Sequence, residues 1–193
     1  MPRTEVFNRE IVLTKVRDLF WNKGYNGTSM QDLVETTGLN RSSLYNSFGN
    51  KQSLYEMVLK KYQEDSKSLF QDALLRAGNP SEAIRNIFEN ALENMIKDVD
   101  QKGCFSLNCK AELSRTGGTV RSLLEHNEAG SLKLFKNLVQ EGQDHEVINN
   151  ENTAEDYAYY LYSAFQGLRM TGMLINDRSK LQKIIDTTVE KLN

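Results

Sequence analysis

Between Thr28 and Lys51 the sequence sets Thr28, Ser29, Arg41, Ser42, Ser43, Tyr45, Asn46 and Lys51 where a small helical core has no use for them. Their chemistry suits double-stranded DNA. Arginine pairs bidentately with guanine and asparagine with adenine, while serine serves either a base or a phosphate. Arg41 has the longest reach and stands at the exposed start of its helix. Tyr45 offers a hydroxyl to a phosphate while its ring packs on the sugar. Lys51, at the start of the following helix, is within reach of the nucleic-acid backbone. Thr28 and Ser29 open a helix whose free N–H groups suit a phosphate.

Such groups need a scaffold, and the apolar residues around them supply one. Val12, Val16, Leu19 and Phe20 recur at helical spacing and predict a first helix from about residue 8 to residue 23, which Gly24 ends. Thr28 with Gln31 has the form of a capping box. It opens a short second helix that buries Met30, Leu33 and Val34 and stops at Gly38. Asn40 caps a third helix, whose Leu44 and Phe48 face the same core. On that wheel Ser42, Ser43, Tyr45 and Asn46 point outward. Two short helices across a tight turn, packed on a third, with polar groups at the start of the second, make a helix-turn-helix.

The remainder reads as helices throughout, about nine in all, and the fold class is all-α. A long helix from Lys51 to Ala77 carries Leu54, Val58, Tyr62, Leu69, Phe70 and Leu74, and Gly78 to Ser81 is a stop and restart. Further helices are expected over about 81–99, 104–114, 119–142, from 153 onward and 179–192, with Gly117-Gly118 ending the sixth. The expected division is a head over 1–52 and a body over 53–193. In the helix from Thr153, Tyr157, Leu161, Ala164, Phe165 and Leu168 form an apolar stripe. With Gly172 and the last helix it is read as a surface for a second copy of the chain. A head with one recognition helix gains affinity by pairing half-sites about 34–36 Å apart.

Composition is consistent with this division. Hydrophobic residues make up 39% of the 193 and charged residues 26%, a soluble globular balance. Residues 1–62 hold nine Lys/Arg and six Asp/Glu, so a mildly basic head precedes an acidic body. No apolar run reaches membrane length, and Met1 to Glu5 lack the apolar segment of a signal peptide; a cytoplasmic location is expected. Two cysteines and two histidines form neither a disulfide framework nor a zinc spacing. Cys104 and Cys109 read as small buried groups, the alternative being a thiol sensor beside Lys102 and Lys110. A thiol enzyme is the reading in another class, but no His or carboxylate is placed in sequence to serve Cys104.

The ordered set Phe20, Gly24-Tyr25, Thr28-Ser29-Met30, Asp32-Leu33, Gly38-Leu39, Leu44-Tyr45, Phe48, Lys51 and Leu54 resembles the DNA-binding domain of the TetR (tetracycline repressor-like) family. Gly103-Cys104-Phe105 followed by Ala111-Glu112-Leu113 is similar to a pattern in some members' C-terminal domains. The resemblance implies a regulator, most simply a repressor, that binds a palindromic double-stranded operator as a homodimer and is released by a small-molecule effector. It implies no enzyme, no cofactor and no membrane partner. It also implies an effector pocket in the body, for which Phe70, Phe88, Met95, Cys104, Phe105, Tyr162 and Phe165 are the candidates.

Overall fold

The computed structural model describes residues 7–115 and 118–193. Among these residues the chain is helical, in the order α1 (Arg9–Lys23), α2 (Met30–Thr37), α3 (Arg41–Phe48), α4 (Lys51–Leu75), α5 (Pro80–Lys97), α6 (Phe105–Leu113), α7 (Gly118–Asp144), α8 (Ala154–Thr171) and α9 (Arg178–Glu190). The opening Met1 to Glu5 and Gly117 lie outside the described residues, as does the side chain of Leu69. Gly118 opens α7 and ends no helix. No described helix is long and apolar enough to cross a membrane.

Side-chain caps set most of the starts. Asn40 accepts from the Ser43 N–H, Asn50 from that of Ser53 and Thr153 from that of Asp156, each satisfying a donor the helix cannot. The capping box of α2 sits one residue later than the sequence suggested. Ser29 caps it and Asp32 reaches back to the Ser29 N–H at 2.8 Å. Thr28 is buried instead, and its hydroxyl donates to the Gly24 carbonyl at 2.7 Å. At the far end of α2, Gly38 takes the left-handed conformation with φ 72°.

Two apolar clusters divide the molecule. The first joins Val16 and Phe20 of α1 to Leu33 of α2 and to Leu44 and Phe48 of α3. It runs past the expected division at residue 52, through Leu54, Tyr55, Val58 and Leu59 of α4, and takes in Phe105, Cys109 and Leu113 of α6. Head and body therefore share α4 and are sealed by α6. The second cluster lies among α5, α7, α8 and α9.

That second cluster corrects the reading of α8. Tyr157, Leu161, Phe165 and Leu168 are at most 5% exposed and belong to the subunit's own core. Ala164 packs against the same cluster. A Cβ on Gly172 would stand 2.5 Å from the Met95 sulfur, so this glycine lets α8 approach α5. The periodicity identified a buried face correctly, but α5, α7 and α9 cover it. The other face of α8 and the turn after it carry Tyr159, Tyr160, Met170, Leu174 and Ile175, all exposed, with Gly167 in open space between them.

Candidate nucleic-acid interface

The outward face of α3 presents Arg41, Ser42, Tyr45 and Asn46 to solvent, with Ser43 half-buried. Tyr45 is 45% exposed although it adjoins Leu44, which is 1% exposed. Leu44 and Phe48 anchor the helix from beneath. Arg9, which the sequence reading did not single out, fixes its far end. Its guanidinium donates to the Ser47 carbonyl at 3.0 Å and lies 4.5 Å over the Phe48 ring. A cation there also complements the negative end of the helix dipole.

Two of the predicted contacts have inward tasks. Lys51 donates to the carbonyls of Tyr25 and Thr28 at 2.8 and 2.7 Å and sits 4.2 Å over the Tyr25 ring. The buried Thr28 closes the same turn. Both residues shape the α1–α2 turn; Ser29 remains exposed at its end. Beside it Lys23 bonds the Asp32 carboxylate at 2.6 Å. Lys23, with the Ser29 N–H and hydroxyl, holds that carboxyl well below its usual range. Because the folded value is depressed, its share of head stability is full above the ordinary value and is lost as pH falls through the folded one.

The turn is gripped from the body as well. Glu112 of α6 accepts from the Tyr25 N–H at 2.9 Å and the Asn26 N–H at 2.7 Å. Gly24, at φ 72°, makes room: a Cβ there would meet the Glu112 carboxylate at 3.0 Å. A second link runs from the Trp21 indole N–H to the Lys102 carbonyl at 3.0 Å. Replacing Glu112 with alanine leaves two N–H groups without their charged acceptor. The expected loss is about 1.5–3 kcal/mol, read as a fall in Tm of roughly 4–10 °C. A Tm within one degree of the parent would contradict the grip.

Two adjoining cavities of the body share a wall. One of about 630 Å³ lies between α1, α4, α5 and the start of α6, lined by Trp21, Tyr62, Phe70, Met95, Cys104 and Phe165 among others. The other, of about 380 Å³, lies between α4, α6, α7 and α8 and adds Gln63, Lys110, Leu134 and Tyr162. Tyr62, Phe70, Cys104, Phe165 and Arg169 border both. Of the expected pocket residues, Phe88 and Phe105 are not on these walls. Phe88 is wholly buried against Phe135 and Phe165, and Phe105 among Trp21, Tyr55 and Tyr62. The Cys104 sulfur accepts from the Leu107 N–H and the Tyr62 hydroxyl. Lys110 is taken by Glu128 and Lys102 by Asp100. Burial pushes the Cys109 thiol up to about 11. No cluster of possible metal ligands occurs among the described residues.

Residues 12–58 match the family model for bacterial regulatory proteins of the tetR family, and residues 80–188 match that of the tetracyclin repressor-like C-terminal domain. The chain belongs to the TetR family. TetR-family proteins are DNA-binding transcriptional regulators and not enzymes. The chain is similar to the HTH-type transcriptional regulator YezE of Bacillus subtilis, at 28% identity over 195 residues and 100% of both chains. It is also similar to the HTH-type transcriptional repressor ComR of Escherichia coli, at 28% identity over 97% of this chain and 90% of that one. In fold it resembles a cysteine mutant of the TetR family transcriptional regulator CifR complexed with 26-bp double-strand operator DNA. The TM-score is 0.83, with 23% identity over 99% of this chain and 100% of that one.

Proposed function

We propose that this TetR-family protein is a repressor that binds a palindromic operator as a homodimer and leaves it when a small molecule occupies the body. The observation that carries the reading is the division of labour on α3. Leu44 and Phe48 are buried, while Arg41, Ser42, Tyr45 and Asn46 stand exposed at the N-terminal part of a rigidly capped helix. The names of ComR and of the DNA-bound CifR support it. On this reading Ser29, Arg41, Ser42, Ser43, Tyr45 and Asn46 touch DNA, and Thr28 and Lys51 shape the turn behind them. The α1–α2 turn, held by Glu112 and bordered by Trp21, connects the cavities to the head. An effector that shifts α6 changes the separation of the two heads. The second copy is expected on the exposed face of α8, where Tyr159, Tyr160 and Met170 are otherwise left to water.

The roles separate in a gel shift using DNA that flanks the protein's own coding region. Arg41→Ala is expected to lose about 1–3 kcal/mol of binding and to relax preference at one base position. Lys51→Met is expected to weaken all sequences alike, with the salt dependence of the parent, because its ammonium serves two carbonyls. A flattened salt dependence in Lys51→Met would return that residue to the DNA backbone. No sequence-specific shift by the parent would end the repressor reading.

A further inference from the structure

The smaller cavity has an unusual balance of charge. Among the described residues its wall includes Lys67, Lys110 and Arg169 and no carboxylate. Lys110 is neutralised from outside by Glu128. Neither Lys67 nor Arg169 has an acidic side chain within ion-pairing distance among the described residues; the Arg169 guanidinium lies 5.1 Å over the Phe165 ring. Gln63, on α4, is 7% exposed, and its amide nitrogen is a buried donor with no partner. An unpaired buried donor costs about 1–3 kcal/mol, a cost that an acceptor placed in the cavity removes. The rest of the wall is mixed: Gln71, His126, Asn127 and Gln166 are among its polar groups, and Phe70, Leu74, Leu134 and Phe165 form its apolar and aromatic part.

We propose that the effector of this cavity is a small organic carboxylate with an apolar body, its carboxylate taken by Arg169 and the Gln63 amide. The inference rests on the ligand-responsive reading above and names the chemistry of that site. A carboxylate only accepts, and Gln63 and Arg169 meet it with donors. A neutral amide of the same shape would turn its own N–H₂ toward donors. The apolar body goes to the aromatic wall, and about 380 Å³ lies within the ~300–1,000 Å³ of small-molecule sites. Trp21 borders the neighbouring cavity, and Tyr62, Phe70 and Arg169 border both, so occupancy acts on the wall next to the head.

The test is calorimetric titration of the full chain with octanoate and cyclohexanecarboxylate, each against its own amide. The acids are expected to bind about tenfold or more tighter than the amides. Arg169→Gln should reduce that preference to about threefold or less, Arg169→Lys should restore part of it, and Gln63→Leu should weaken the acids alone. Equal binding of acid and amide would overturn the proposal. So would a preference that survives Arg169→Gln, or no binding of either acid at millimolar concentration. The same mixtures are run in a gel shift. Acid binding that leaves the operator complex intact would support the carboxylate site and overturn release by ligand.

Discussion

Replacing Phe105 with alanine lowers the unfolding free energy by about 3–5 kcal/mol, and Tm by roughly 8–16 °C for a chain of this size. The side chain is 1% exposed and stands among Trp21, Tyr55 and Tyr62, with ring centroids 5.7, 5.5 and 5.6 Å away. Each such aromatic contact contributes about 0.5–1.5 kcal/mol beyond burial. These rings belong to α1, α4 and α6, so the cavity left by truncation opens at the joint of head and body. Phe105→Leu, which retains most of the volume, should lose less than half as much. Thermal or urea unfolding distinguishes this from a pocket-lining role. A change below about 1 kcal/mol would mean that the ring borders open space.

Gly167→Glu is expected to convert the protein to a monomer and to weaken operator binding about 100-fold or more, because the second half-site then binds independently. A Cβ at Gly167 meets nothing within 4 Å, so the subunit tolerates the change. On the proposed interface it would meet the second copy, on a face where Tyr159 is 56% and Met170 49% exposed. A carboxylate between two apolar helices has no partner and disfavours their approach. Sedimentation reads the oligomeric state and circular dichroism checks that the helices persist. A dimer with undiminished affinity would place the interface elsewhere.

The head was largely legible because its signals are local. Asn40 and Asn50 cap the helices they precede in sequence, and Gly38 ends α2 as a residue free to take positive φ should. The one-residue slip at α2 is physical. Thr28-Ser29 and Gln31-Asp32 offer two acceptable boxes, and burial of the Thr28 hydroxyl against Gly24 decides between them. The body was legible only as helices. Periodicity tells that one face of α8 is buried but not by what, so in sequence a core stripe and an interface stripe look alike. In sequence an aromatic residue in the core, such as Phe88, looks the same as one on a cavity wall, such as Phe70. Contacts of long sequence separation left no mark. Glu112 reaches a turn 86 and 87 residues away, and Arg9 one 38 away.

Dimethyl sulfate methylates guanine at N7 in the major groove and adenine at N3 in the minor groove, and so reads directly which groove α3 occupies. Applied to the complex with the operator, the expected pattern is guanine N7 protection in two symmetric half-sites about 34–36 Å apart. One protected guanine in each half-site should become reactive with Arg41→Ala. Protection confined to adenine N3, or guanine protection unchanged by Arg41→Ala, would contradict recognition through the exposed face of α3.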